Sequence, residues 1–199
     1  NPINGTGNWD GQNFDGTLED NRFRYVDFQS GDAQGRAVDI SYSRVLFDHV
    51  SWFDINNQVI DMVHPTLIVS NSFIPGINGD ETIHLVGVNE GEQLVFENNI
   101  IGKNTSGGDV VDMAPDSLNR ATIYFTNNSF LGGLDDGVDT DGNIVIFEGN
   151  SFTDFHYNTS RTTTSNAISS GHQNVGATTL SSELTIRNNT FYDVDHAVL

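Results

Sequence analysis

The segment Leu134-Asp135-Asp136-Gly137-Val138-Asp139-Thr140-Asp141-Gly142-Asn143 carries four carboxylates in seven residues and closes on an Asn. Oxygen clusters of this kind suit Ca2+, which takes about six to eight oxygen ligands at roughly 2.3 to 2.6 Å in flexible geometry. Asp112, Asp135, Asp136, Asp139 and Asp141 form the candidate metal set, and Asp109 lies close enough to add a ligand. Asp139-Thr140-Asp141-Gly142 matches only part of an EF-hand loop, whose first Asp and closing Glu are missing. A solvated acidic turn and a catalytic pair are the alternatives. Glycoside hydrolysis needs one carboxylic acid and one carboxylate base or nucleophile at a set separation. Asp135, Asp136 and Asp139 are the candidates for it, with His172 further along. A lyase would need a strong base beside a calcium-bound uronate, and only Arg120, Arg161 and Arg187 lie near the acidic segment.

Such residues act together only if the backbone stacks them, and the chain carries a repeat that does so. The unit is an alternating apolar strand, then Asn, then Ser or Thr, then Phe, as in Ile123-Tyr124-Phe125-Thr126-Asn127-Asn128-Ser129-Phe130 and Leu184-Thr185-Ile186-Arg187-Asn188-Asn189-Thr190-Phe191. Closing apolar residues fall at 28, 52, 73, 101, 130, 152 and 191, with gaps of 24, 21, 28, 29, 22 and 39. That is a solenoid period with insertions. The longest gap predicts excursions at His156 to Ser165 and at Gln173 to Ser182. Asn tolerates the left-handed bend between strands, and its amide can bond to the Asn above and below. The expected fold is therefore all-β: one right-handed parallel β-helix domain of about seven coils spanning 1–199, cut from a longer chain.

A second strand family follows each Phe and includes Val38-Asp39-Ile40, Ile60-Asp61-Met62, Ile83-His84-Leu85, Val111-Asp112-Met113 and Val138-Asp139-Thr140. Alternation turns the apolar flanks inward and the middle residue outward. Asp39, Asp61, His84, Asp112 and Asp139 should run up one outer face. Carboxylates one coil apart, at about 5 Å, repel by roughly 0.8 kcal/mol in bulk water and more near a protein surface. Screening, bound cations or proton uptake must relieve that repulsion.

Composition narrows the partners. Asp and Glu number 27 against 8 Lys and Arg, for a net charge of −19, which repels phosphate backbones and argues against nucleic acid. No run reaches the roughly 18 apolar residues of a membrane span, and Asn1-Pro2-Ile3-Asn4-Gly5 lacks the pattern of a signal peptide. Cysteine is absent, so no disulfide framework supports the fold.

From Asn128 to Gly142, and through Phe147-Glu148-Gly149-Asn150-Ser151-Phe152 to Arg161-Thr162-Thr163-Thr164-Ser165-Asn166, the chain resembles one particular group. These are the pectate-lyase-like β-helix modules of large exported bacterial proteins that also carry lamin-tail and spore-coat-kinase-like domains. The resemblance implies an extracellular or cell-surface module, with polysaccharide or neighbouring domains of the parent chain as partners. It assigns no chemistry to these positions, and the group has an apolar residue where Thr140 stands. The paired Asp followed by Gly171-His172 also resembles the polygalacturonases, but 36 residues separate Asp136 from His172, and the Arg-x-Lys element is missing. The sequence thus leads to a non-catalytic extracellular scaffold or carbohydrate-facing module stabilised by Ca2+. The alternative is a polysaccharide hydrolase or lyase acting through Asp112, Asp135, Asp136 and Asp139. An open coil edge at Val198-Leu199 further suggests end-to-end self-association.

Overall fold

The computed structural model describes residues 11–31, 35–157 and 165–199. Its strands wind into a parallel β-solenoid of about seven turns with no helix among the described residues. One face stacks eight strands in the order Gln12–Asp15, Arg36–Ser41, Gln58–Val63, Ile83–Val86, Val111–Ala114, Val138–Asp139, Asn166–Ser169 and His196–Val198. The second face runs from the first halves of Asn21–Gln29 and Arg44–Phe53 through Thr66–Ser70, Gln93–Glu97, Thr122–Thr126 and Ile144–Glu148 to Glu183–Arg187. The third begins in the second halves of the same two long strands. It continues through Phe73–Ile74, Ile100–Ile101, Ser129–Phe130 and Ser151–Phe155 to Thr190–Val194.

The bend between the second and third faces explains the Asn-Asn pairs, because each member does a different job. The first takes the left-handed conformation, with φ near 52 to 57° at Asn71, Asn98, Asn127 and Asn188. Gly149 fills the same place with φ 69°. The second points inward and forms the ladder. Asn128 Oδ1 accepts from the Asn99 N–H at 3.0 Å, while Asn128 Nδ2 donates to Asn150 Oδ1 at 3.0 Å and to the Phe96 carbonyl at 2.9 Å. Asn150 repeats the pattern with Asn189, and Ser72 starts it below Asn99. Asn99, Asn128 and Asn150 are each only 1% exposed, so every one of these bonds replaces water that cannot enter.

Behind the ladder, like packs on like. Phe96, Phe125 and Phe147 stack at 5.2 and 5.3 Å, and Phe130, Phe152 and Phe191 stack at 4.5 and 5.3 Å. Offset stacking of this kind adds to the area that each ring buries. One expected marker is displaced. Ile74, not Phe73, fills the core, and Phe73 instead lies 6.0 Å from Phe53. The reason is local: Asn71-Ser72 is equivalent to Asn127-Asn128, so the inward residue comes two after Ser72. Of the two excursions, the second is an antiparallel hairpin, His172–Val175 with Thr178–Ser181. Most of the first, including Arg161 to Thr164, lies outside the described residues.

Asn128→Ala removes the acceptor of the Asn99 N–H and the donor to Phe96, both in the interior. Each orphaned group costs about 1 to 3 kcal/mol, so the substitution is expected to lower unfolding free energy by about 3 kcal/mol. Asn127→Gly, at φ 54°, should stay within about 1 kcal/mol. Denaturant unfolding of both variants checks this, and equal losses would contradict the division of labour.

Candidate functional site

The strand register places Asp39 on Asp61, Asp61 on His84, His84 on Asp112, and Asp112 on Asp139. The expected outer column is therefore present, starting at Asn13 and ending at Ser169. A second column runs three residues ahead of it, through Arg36, Gln58, Glu81, Asp109, Asp136 and Asn166. It is tied by hydrogen bonds that resemble the Asn ladder. Asp109 Oδ1 accepts the Asp136 N–H at 3.0 Å, and Asp136 Oδ1 accepts the Asn166 N–H at 3.0 Å and Asn166 Nδ2 at 2.7 Å. Backbone bonds from Val110 to the Asp136 carbonyl and from Gly137 to the Asn166 carbonyl hold the coils together here. Gly137 permits the close approach, since a Cβ there would press on the Ala167 carbonyl and the Phe155 ring.

Charge is partly offset in one half of the face and not in the other. Arg36 pairs with Asp61 and, at 3.3 Å, with Asp39; His84 Nδ1 lies 2.8 Å from Asp61 Oδ1. Beyond His84, Asp109, Asp136 and Asp139 have no Arg, Lys or His in ion-pair contact among the described residues. One carboxylate oxygen from each of Asp109, Asp135 and Asp136 lies within 4.8 Å of the others, and the same holds for Asp109, Asp112 and Asp139. Asp109 thus links two carboxylate triads. A calcium ion with oxygens at about 2.3 to 2.6 Å fits between oxygens spaced this way.

Burial dominates the proton affinities. It pushes Asp109 up to about 9, with further upward pressure from Asp136, Asp139 and Asp135. Asp139 rises to about 7, through burial and then Asp141. Asp136 is raised by burial against the opposing Asn166 hydrogen bonds, and Asp112 by burial against His84. Glu81 is likewise raised by burial and borders a cavity of about 410 Å3 lined also by Asp80, His84, Asp112, Asn57 and Gln58.

The remaining expected residues separate. Asp141 sits beside Asp139, its N–H donating to Asp139 Oδ1 at 3.3 Å. Thr140 does not offer its hydroxyl to the cluster: it is fully buried, and Oγ1 donates to the Ser169 carbonyl at 2.8 Å. His172 opens the exposed hairpin, and its imidazole has no hydrogen bond or ion pair among the described residues. Asn166, the first residue of its strand, also takes part. Its Oδ1 is buried and meets no hydrogen-bond donor among the described residues, although its Nδ2 is committed to Asp136. Glu81 was unmarked; both lie three residues before an outer-column position, which is the signal that finds them.

A separate group joins the last two coils. His156 Nδ1 lies 3.0 Å from Asp195 Oδ1 and Nε2 lies 3.2 Å from Asp193 Oδ1, and the Asp195 hydrogen bond raises the His156 pKa. Lys103 reaches across at 2.7 Å to Asp154 in the same region. No family model, curated protein or solved structure matches the chain.

A carboxyl whose pKa is higher folded than unfolded binds its proton more tightly in the native state. Its contribution is complete below about pH 4 and is lost as pH rises through the folded value. In chelator, unfolding free energy should therefore fall from pH 5 to pH 9. Asp109→Asn keeps an acceptor for the Asp136 N–H and removes the titration, so it should flatten that fall and be the more stable protein at pH 8. Parallel pH profiles of the two proteins would contradict the assignment.

Proposed function

We propose that this chain is a non-catalytic β-helix module of an exported protein, a scaffold or carbohydrate-facing module stabilised by Ca2+. The carrying observation is that Asp109 joins two carboxylate triads on successive coils, each within 4.8 Å. Stacked in this way, the carboxylates must take up protons or a cation, and a cation, whose binding releases those protons, is increasingly favoured as pH rises. Asp109, Asp112, Asp135, Asp136 and Asp139 would hold it, with Asp141 at the margin and the buried Asn166 Oδ1 as an uncharged acceptor. Calcium's tolerance of irregular oxygen shells favours it over Mg2+, which demands near-octahedral geometry.

The sequence resemblance to pectate-lyase-like modules of exported bacterial proteins with lamin-tail and spore-coat-kinase-like domains supports the extracellular or cell-surface setting. Calcium is abundant there, and polysaccharide or neighbouring domains of the parent chain are the natural partners. One observation favours the enzymatic alternative. Burial raises Asp139 to about 7, which lets it hold a proton near neutral pH as the general acid of a glycosidase does.

Thermal unfolding at pH 8 with Ca2+ and with chelator tests the proposal. At about 100 times Kd, a ligand that binds only the native state adds about 2.7 kcal/mol. For a chain of this size that corresponds to a midpoint rise of about 5 °C or more. An unchanged midpoint would remove calcium from the account. Sugar release from acidic or neutral polysaccharide by the wild type, abolished in Asp136→Ala, would replace the scaffold with the hydrolase or lyase.

A further inference from the structure

The outward surface of the second face is unlike the aspartate face. Its register sets Arg22, Leu46, Ile68, Val95, Tyr124 and Ile146 above one another, one per coil. Val45, Phe47, Leu67 and Val69 on the same strands point into the core, so these side chains point out, and Tyr124 is 38% exposed. The result is an apolar stripe along the solenoid axis, with a step of about 4.8 Å per coil. Its two flanks are polar, led by Arg44, Thr66 and Gln93 on one side and by Arg24, Asp48 and Ser70 on the other.

At one end the stripe enters a cavity of about 470 Å3, lined by Arg22, Arg24 and Arg44 above Leu46 and Ile68. Three of the chain's 8 basic residues thus meet at one place in a molecule of net charge −19. Their present bonds are weak ones. Arg22 pairs with Asp20 where both side chains are more than half exposed, and exposed pairs contribute little. Arg24 stands 3.5 Å from Asp48, which already accepts from Asn71 Nδ2 at 2.9 Å and Ser70 Oγ at 3.2 Å. Arg44 has no ion pair among the described residues.

We infer that this groove binds a linear anionic glycan lying along the solenoid axis, its acid groups on the three arginines and its sugar faces on the stripe. Guanidinium forks match carboxylate and sulfate oxygens in pairs. Half-buried aliphatic side chains and a Tyr, repeated at a constant step, match a chain of repeating rings with apolar faces. A peptide added as a strand is disfavoured, because the strands beneath the cavity at Arg44–Phe53 and Thr66–Ser70 are paired on both sides. The inference rests on the carbohydrate-facing reading for the class of ligand alone, and it places the contact on a face other than the one that bears the aspartates.

Titration calorimetry of the whole chain at pH 6.5, in chelator and low salt, tests it with three probes. These are oligogalacturonate, a sulfated oligosaccharide and a neutral cello-oligosaccharide. The expected result is binding of an acidic probe and not of the neutral one, with the two acidic probes separating carboxylate from sulfate. Affinity should fall at least tenfold in Arg24→Ala/Arg44→Ala and again in Ile68→Asn, and Arg187→Ala, outside the cavity, should match the wild type. Circular dichroism checks that each variant is folded. Equal binding of the neutral probe, no binding of either acidic probe by folded wild type, or full affinity in the double Arg variant would overturn the inference. So would binding that appears only with Ca2+ and is lost in Asp139→Asn, which would put the glycan on the aspartate face. Failure of Ca2+ to raise the melting midpoint would sink the scaffold's metal and leave the groove standing.

Discussion

Everything in this molecule follows from parallel strands stacked in register, which set each side chain about one strand spacing from its counterpart on the next coil. A self-complementary side chain gains from that arrangement. The Asn amide is the clearest case, because it both donates and accepts and so can bond to an identical group above and below. Asn99, Asn128, Asn150 and Asn189 use both capacities, and they also satisfy main-chain groups at a buried bend. Phenylalanine gains similarly by stacking. The repeat therefore reads alike on successive coils from Ser72 to Asn189, because each coil is the template for the next.

Charged side chains lose from the same arrangement. At one end of the aspartate face Arg36 and His84 interrupt the run, Arg36 pairing with Asp39 and Asp61 while His84 Nδ1 lies against Asp61. At the other, Asp109, Asp112, Asp136 and Asp139 crowd together, and burial weakens the solvent's ability to separate them. A fold that needed only solubility could spread its acid over solvated turns. Here seven of the 27 acidic residues stand in two stacked columns, where they are costly, and the cation proposed above would offset that cost.

The fold was legible because Asn, Ser and Phe recur with one polarity order, and the outer Asp column was legible because period-two alternation fixes which residue faces out. The Phe73 marker slipped by one because Asn71-Ser72-Phe73 looks like Asn128-Ser129-Phe130 although Ser72, not Asn71, is the ladder residue. The second column was only partly visible: Asp109 was marked as a neighbour, but Glu81 precedes its strand in a connection of variable length, and Asn166 is the first residue of the strand that follows the longest gap. Thr140, where the resembled group has an apolar residue, turns its side chain inward to Ser169 and not toward the acidic cluster. The arginine groove could not be seen in sequence at all. Arg22, Arg24 and Arg44 come together only after the coils are superposed.

The most direct test of the central claim is carboxyl carbon NMR titration of Asp109 in metal-free protein. Stacked and sunk between Asp136 and Asp139, Asp109 should lose its proton near pH 9, and Ca2+ should displace that proton at neutral pH. A titration near the ordinary Asp value of about 3.9, unchanged by Ca2+, would show that the coils do not press these carboxylates together.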